Sequence, residues 1–373
     1  MAAASAAGGG GFSIDNSVRF NDDDSPGLTR TNSEGPTDAS KGIIGGWFKT
    51  SNIEVTRTFW TCAGSAFEID LTVGDQMSCN VDGGYQLFQT NQLFRDPTAW
   101  YQVVCSYDSD ESSADDRFNI YINGIKITSF SYESFTRITS AEAWSFTADT
   151  IEVSVGISYN GVREWDGYLA QQFLLDGVSI QNGDHAITAL GEFDDNGIWR
   201  PVDLSGLTFG NNGWLLDFAD SSALGNDVSG NDNDFASSGL AANDQVTDTP
   251  TNNKCTWSSI SHGPTTNHPT LTNGNLDITG SAAPDDGLTG TIGVSVSGKY
   301  YWEFELTSGT GGTPAILIGM ASQLYTWASS VGSLAGGFRG YYTTGVKQTG
   351  GTTSSYGDSW AVGDRMGVAV DLD

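Results

Sequence analysis

Paired carboxylates are the residues of this chain whose spacing could support hydrolysis of a glycosidic bond. Retaining glycosidases hold two carboxyl groups about 5 Å apart, and sandwich-type glucanases carry their acids as Glu-x-Asp-x-x-Glu on one strand face. We select residues 192–197 as the nearest match, although Gly197 replaces the third acid and the glycine-bounded run is typical of a turn. Glu303 and Glu305 share the solvent side of an amphipathic strand. These acids are therefore predicted to lie on the surface, and we assign no catalytic residue.

The sequence offers few residues for catalysis by a nucleophile, a histidine or a thiol. The three histidines are His185, His262 and His268, and the last two lie in a Thr/Pro-rich segment where solvated positions are expected. The sequence has no GxSxG, Walker or HExxH motif. Four cysteines without CxxC spacing predict buried free thiols: Cys62, Cys79, Cys105 and Cys255. We therefore predict that the protein is not an enzyme and uses no cofactor.

One acidic loop has a composition that would also suit a cation site. The run from Asp227 to Asp234 is rich in oxygen ligands of the kind that hard cations take, with carboxylates at Asp227, Asp232 and Asp234. It lacks the glycine and glutamate positions of an EF-hand. Loops of Asp, Asn and Gly more often form turns whose side chains bond their own backbone. We expect no metal site, and a structural calcium ion at this loop stays the alternative.

Aromatic residues offer a second kind of binding chemistry, because their rings can stack on sugars. Most of the tryptophans lie within apolar strands, so we expect them to fill the core. Trp199 is the exception, since it stands in a polar NGIWRP segment beside Arg200. We predict that Trp199 and Arg200 form an exposed anchor or interface.

Composition favours β-structure and disfavours two classes of partner. The chain has 373 residues, 48 of them glycine, with 11% aromatic and only 16% charged residues. This combination is typical of all-β sandwiches. The formal net charge of −29 repels phosphates and anionic membrane surfaces. We therefore predict no nucleic-acid binding and no membrane insertion.

The N-terminal residues are predicted to form an arm. Residues 1–11 are almost entirely alanine and glycine, without the basic and long apolar regions of a secretory signal. Small residues of this kind cannot build a core, but they can become ordered against a partner. We name Ala2, Gly8, Gly11 and Phe12 as the candidate anchor.

The rest of the chain alternates apolar and polar residues with period two, between Gly, Asn and Asp turns. The clearest element is a hairpin in RFNIYINGIKI, where Asn123 and Gly124 supply the positive φ angles of a type I′ turn. No helical period longer than two turns stands out. The fold class is therefore predicted to be all-β and antiparallel.

The order of these segments resembles a concanavalin A-like (laminin-G-like) domain. The matching segments are SVRF, GGWFKT, WYQVVCSYD, INGIKI and WDGYLAQQFLLDG, and they extend over residues 12–180. The resemblance implies an antiparallel jelly-roll sandwich. We expect residues 181–250 to form a β-rich connector and residues 251–270 a Thr/Pro-rich linker.

Residues 271–373 resemble a SPRY domain in YYWEFEL, IGMAS and GVAVDLD. That family continues with further strands after the last of these motifs. We therefore expect a SPRY-like sandwich that is cut short.

The stretch Trp165–Pro250 resembles virion proteins of marine tailed bacteriophages. This resemblance implies a structural protein assembled in the bacterial cytoplasm and located in the virion, as a tail or head fibre, an adhesin or a capsid-attached appendage. It also implies a homotrimer that contacts other virion proteins and a host-surface glycan. The alternatives are a free carbohydrate-binding module or bacterial surface adhesin and, less favoured, a polysaccharide-degrading enzyme, because sandwiches carry all three functions.

Overall fold

The computed structural model describes residues 11–63, 66–81, 83–262, 269–280, 287–295, 297–309, 316–321, 338–349 and 352–373. The chain forms two compact units. The sandwich unit holds the described residues up to Lys254 together with Thr272–Asp277, and the C-terminal unit holds those of Cys255–Leu271 and Ile278–Asp373. No helix in the described part of the chain is long and apolar enough to cross a membrane.

Within the described residues, the sandwich unit has eighteen strands. In chain order these are β1 (Ser17–Phe20), β2 (Gly27–Thr31), β3 (Lys41–Thr50), β4 (Arg57–Cys62), β5 (Phe67–Leu71), β6 (Gln76–Val81), β7 (Tyr85–Leu93), β8 (Tyr101–Asp108), β9 (Phe118–Ile122), β10 (Ile125–Lys126), β11 (Phe130–Glu133), β12 (Glu152–Val155), β13 (Gly167–Asp176), β14 (Glu192–Phe193), β15 (Trp199–Arg200), β16 (Trp214–Leu216), β17 (Ala236–Ser238) and β18 (Gln245–Val246).

Two eight-stranded antiparallel sheets form the sandwich. Sheet A has the order β10-β9-β8-β3-β13-β1-β18, with β16 also paired to β13. Sheet B has the order β11-β7-β6-β5-β4-β12-β2-β17. The predicted all-β, antiparallel fold class is thus confirmed. The predicted hairpin is confirmed as well, because Asn123 and Gly124 both have positive φ angles between the paired strands β9 and β10.

The core lies between the two sheets. Successive strand residues point to opposite faces, so one apolar set from each sheet meets the other. The Phe59 ring packs against Phe48 and Trp165 at centroid distances of 4.8 and 4.4 Å. Polar contacts also join the two sheets: for example, Trp60 Nε1 donates to Gln172 Oε1 at 3.1 Å. The thiols of Cys62, Cys79 and Cys105 are free and buried here, and burial raises the pKa of each.

The sandwich extends past the boundary that the sequence predicted near residue 180. In the predicted connector, β16 pairs with β13 in sheet A, β17 pairs with β2 in sheet B, and β18 pairs with β1 in sheet A. The same segment also covers the outer face of sheet A. Apolar side chains of the sheet and of the segment pack together there: Ile43, Val104, Phe173, Leu175, Leu190, Leu204, Phe209 and Leu215. Residues 181–254 therefore complete the sandwich, because sheet A exposes a second apolar face that must be buried.

Residues 272–277 return to the sandwich as a short loop. Tyr168 Oη donates to the carbonyl of Gly274 at 2.6 Å, and Asn275 Nδ2 donates to the carbonyl of Ser51 at 2.6 Å. Gly274 has a φ of +62°, and a Cβ placed on it would lie 2.7 Å from Tyr168 Oη and 2.8 Å from Arg19. The loop therefore requires glycine at this position, for its backbone angle and for space.

We expect Gly274→Ala to lower the free energy of unfolding by about 1–2 kcal/mol, since alanine disfavours the left-handed region and meets two buried side chains. The matched control is Gly206→Ala, whose added Cβ has nothing within 4 Å. Urea unfolding of both variants measures the difference. Equal stabilities would show that the loop does not depend on Gly274.

The described strands after Lys254 form small antiparallel sheets. They are β19 (Trp257–His262), β20 (Thr270–Thr272), β21 (Asp277–Thr279), β22 (Leu288–Gly290), β23 (Lys299–Glu305), β24 (Leu317–Ala321), β25 (Phe338–Tyr342), β26 (Val346–Thr349), β27 (Thr352–Ser355) and β28 (Arg365–Asp371). β23 and β28 pair over seven residues, and β24-β25-β26-β27 form a four-stranded sheet. The alternation predicted for β23 is observed: Tyr300, Trp302 and Phe304 are half-buried, and the residues between them are exposed. The SPRY-like identity of this unit stays a prediction.

Candidate functional site: the outer face of sheet B

Polar side chains occupy the outer face of sheet B in two rows that cross its strands. Direct cross-strand pairs join Thr61, Glu68, Asn80 and Gln86 in one row. A parallel row joins Thr58, Asp70, Ser78, Gln89 and Tyr132. We call these nine residues the polar face. It extends across β4, β5, β6, β7 and β11, about 20 Å at the usual strand spacing.

Amide groups at one end of the polar face hold each other in place. Gln86 Nε2 donates to Gln89 Oε1 at 3.0 Å, and Gln89 Nε2 donates to Gln76 Oε1 at 2.6 Å. Gln76 Nε2 in turn donates to Ser131 Oγ at 3.1 Å. The three glutamines are half-exposed, and Tyr132 beside them is 39% exposed. This amide patch (Gln76, Gln86, Gln89, Ser131 and Tyr132) presents fixed donors and acceptors next to an accessible ring.

A buried carboxylate pair lies in the middle of the polar face. Glu68 and Asp70 are 2% and 1% exposed, and Arg163 from the loop before β13 contacts both. Its guanidinium nitrogens lie 2.5 Å from Glu68 Oε1 and 3.3 Å from Asp70 Oδ2. Thr58 Oγ1 also donates to Asp70 Oδ1 at 2.7 Å. Burial is the main cause that raises the pKa of Asp70 to about 7, and the charge of the neighbouring Glu68 adds to it. Arg163 lowers this pKa and so opposes the shift.

Sequence analysis missed this pair and selected residues 192–197 instead. The signal was available, because Glu68-Ile69-Asp70 matches the Glu-x-Asp part of the glucanase pattern and the third acid position is Val73. Residues 192–197 begin a short hairpin of β14 and β15. There Asp194 Oδ1 accepts the backbone N–H groups of Asn196 and Ile198, both at 2.9 Å. The carboxylate of Asp194 therefore stabilises the turn in which it lies.

The predicted exposure of Trp199 is wrong. Its side chain is only 6% exposed, and Nε1 donates to Gln102 Oε1 at 2.7 Å. The ring fits against Gly124 and Gly191, where an added Cβ would lie within 2.4 Å of it. Arg200 is half-exposed and pairs with Asp194 at 3.0 Å. The polar surroundings in sequence gave no sign that Gly191 and the distant Gly124 leave room for the indole.

The acidic loop bonds to itself. Asp227 Oδ1 accepts the N–H groups of Leu215 and Ser229, and Oδ2 accepts those of Asn233 and the Ser229 hydroxyl. Asp234 Oδ1 accepts the N–H of Asp227 at 2.8 Å. Across the described residues, no three His, Cys, Asp or Glu side chains are grouped to hold a metal, so Asp227, Asp232 and Asp234 form no such group.

The other candidate residues are dispersed. Ala2, Gly8 and His268 lie outside the described residues. Gly11 and Phe12 are exposed, and Phe12 is 40% accessible. The structure brings neither into contact with the polar face, and the anchoring role of Ala2, Gly8, Gly11 and Phe12 stays a prediction.

A second buried acid lies in the loop that carries Arg163. Asp166 is 5% exposed and accepts a hydrogen bond from Asn52 Nδ2 at 2.5 Å. Burial raises the pKa of Asp166 to about 7, and the charge of Asp22 contributes, while the buried Arg57 lowers it. The sandwich unit thus carries two acids that titrate near neutral pH.

No protein-family model matches this sequence, and no curated protein matches it. Solved structures are similar over parts of the chain. A heptameric pentraxin from Limulus polyphemus is 14% identical with a TM-score of 0.36, and the match covers 48% of this chain and 82% of the pentraxin. A Bacteroides ovatus protein described as carbohydrate-binding is 14% identical with a TM-score of 0.40, over 61% of this chain and 58% of that protein.

Laminin-G domains LG4-5 of the mouse laminin alpha1 chain are 10% identical with a TM-score of 0.30, over 46% of this chain and 44% of that one. The chain therefore spans less than two thirds of the Bacteroides and laminin structures. The likeness is one of jelly-roll architecture, and it carries no information on ligands or partners.

Proposed function

We propose that this protein is a non-enzymatic, adhesin-like binding protein whose sandwich unit binds an uncharged glycan on the polar face of sheet B. The observation that carries this proposal is the amide patch. Its glutamines are held by one another, so they can meet sugar hydroxyls without first losing side-chain freedom. Tyr132 offers the apolar ring on which a sugar can stack.

Charge supports an uncharged ligand. The net charge of −29 repels acidic polysaccharides over long range. Within the polar face, Glu68 and Asp70 are countered by Arg163 and by the raised pKa of Asp70, so the face offers no strong charge of either sign. Hydroxyl groups are the ligand chemistry that amides, serines and threonines match.

Hydrolysis is disfavoured although a carboxylate pair exists. A glycosidase acid must reach the scissile oxygen, and Glu68 and Asp70 are at most 2% exposed beneath Arg163. The third acid position of the glucanase pattern is Val73. Release of reducing ends from a bound polysaccharide, lost in Glu68→Gln, would overturn this part of the proposal.

We further propose that the protein acts within a tailed-bacteriophage particle, as a homotrimeric fibre or appendage anchored by its N-terminal arm. The support is the sequence resemblance of Trp165–Pro250. Detection of this chain in purified particles and a trimeric mass by light scattering are the expected results. A protein found only free in the host, as a monomer, would contradict this assignment and favour a free carbohydrate-binding module.

Glycan binding is tested with the full chain on an array of neutral and acidic polysaccharides, followed by calorimetry on the best ligand. We expect Tyr132→Ala and Gln89→Ala each to weaken binding about tenfold, since a stacking contact or a pair of hydrogen bonds is worth about 1 kcal/mol or slightly more. Tyr356→Ala is the matched control, because Tyr356 is 69% exposed in the C-terminal unit. Unchanged affinity in both polar-face variants, or no glycan binding at all, would refute the proposed site.

A further inference from the structure

A buried lysine and a buried aspartate meet a half-buried asparagine on sheet A. Lys49 lies on β3, and its side chain is 1% exposed. Its Nζ atom lies 2.9 Å from Asp248 Oδ2 and 2.9 Å from Asn253 Oδ1. Asp248 and Asn253 belong to residues 247–254, which we call the strap. The lysine amine thus contacts both a carboxylate and a primary carboxamide.

We propose that Lys49 and Asn253 join through an intramolecular amide bond, with Asp248 as the proton-transfer group. A lysine amine is a nucleophile once it has lost its proton, and a carboxamide is an electrophile with ammonia as its leaving group. Neither group reacts in water at ordinary rates. Contact within a fixed, water-poor site supplies the proximity that such a reaction needs.

The reaction balances without a further reagent. The Lys49 ammonium gives a proton to the Asp248 carboxylate, and the neutral Nζ attacks Cγ of Asn253. The bond from Nζ to Cγ forms, and a proton passes from Nζ through Asp248 to Nδ2. The bond from Cγ to Nδ2 then breaks, ammonia leaves and takes the remaining proton, and Asp248 returns to the carboxylate. The products are a secondary amide and an ammonium ion.

The surroundings hold the three groups in reacting positions. Asp248 Oδ1 accepts hydrogen bonds from Trp100 Nε1 and from the backbone N–H of Lys254, both at 3.1 Å. The carboxylate is thereby fixed with Oδ2 toward Lys49. Asn253 Nδ2 donates to the carbonyl of Thr98 at 2.7 Å, so the amide oxygen faces the lysine. Cγ is one bond beyond that oxygen, so the target carbon lies directly behind the atom that Nζ contacts.

The lysine and the aspartate are enclosed, so bulk water has little access to them. The Tyr168 ring lies 5.6 Å from Nζ, and Lys49 and Asp248 are 1% and 4% exposed. The other acceptor of Nζ is the carbonyl of Lys254 at 2.9 Å, where attack would have to expel the chain nitrogen and cleave the backbone.

The intact mass of the purified full chain tests the proposal directly. We expect a mass that is one ammonia below the sequence mass in most molecules, and a peptide pair joined between Lys49 and Asn253 that trypsin does not cleave after Lys49. The Asn253→Ala variant keeps the pair of Lys49 and Asp248, so it should fold and show its full sequence mass. Asp248→Asn should retain all or most of the ammonia.

A wild-type mass that equals the sequence mass after prolonged incubation at 37 °C overturns the proposal, whatever the variants do. A loss of ammonia that persists in Asn253→Ala overturns it too, because the leaving group would then come from another amide. Circular dichroism of each variant shows that the comparison is made between folded proteins. The outcome does not depend on glycan binding.

Discussion

Replacing Arg163 with alanine is expected to lower the free energy of unfolding by about 3–5 kcal/mol, the usual cost of removing one partner from a buried ion pair. The Arg163 side chain is 30% exposed, but Glu68 and Asp70 beneath it are almost fully buried. Without the guanidinium, two carboxyl groups would share a site with no cation in contact. Chemical unfolding at neutral pH measures the loss.

A matched control and a rescue make the result specific. Arg200→Ala removes an ion pair with Asp194 that is 43% exposed on the arginine side, and such surface pairs are worth about 0–1 kcal/mol. Adding Glu68→Gln to Arg163→Ala should recover part of the loss, because the remaining acid can stay neutral. If both arginine variants lose the same small amount, Arg163 does not neutralise a buried pair.

Local sequence pattern was sufficient to predict the strands but not what covers them. The β9–β10 hairpin and the alternation in β23 depend on neighbouring residues, and both were predicted correctly. The burial of Trp199 depends on Gly124, which is distant in sequence. No local rule could have placed that indole.

Local sequence pattern also could not predict the burial of the carboxylate pair. Glu68 and Asp70 alternate with apolar residues in FEIDL, a pattern that is typical of solvent-facing acids on a strand. Their burial comes from Arg163, which follows them by more than ninety residues. A polar residue on the outer face of a sheet is exposed only if nothing else in the chain folds over it.

The two sheets therefore have different outer faces for a physical reason. Sheet A carries apolar residues on both faces, so residues 181–254 must cover it, and the strap ends there against Lys49. Sheet B carries hydroxyls, amides and acids on its outer face, and part of this face stays accessible at Gln76, Gln86, Gln89 and Tyr132. This second face therefore presents fixed polar groups to a ligand.

Acidification from pH 8 to pH 5 is expected to raise the free energy of unfolding of this protein by about 2–5 kcal/mol. Asp70 and Asp166 have pKa values of about 7 in the folded state, above the value near 3.9 of an unfolded chain. Between these values the folded state binds more protons than the unfolded state. Stability therefore falls as pH rises from about 4 to about 7, and these two groups contribute no further change above pH 7.

The origin of this slope is tested by removing the titrating groups. Asp70→Asn and Asp166→Asn each replace a titrating carboxyl with an amide of similar shape that does not ionise. We expect the double variant to lose most of the pH dependence between pH 5 and pH 8. Relief of general charge repulsion at a net charge of −29 would also stabilise the acid side, but it would leave the slope of the double variant nearly unchanged. A slope that survives both substitutions would therefore assign the effect to the whole surface and not to Asp70 and Asp166.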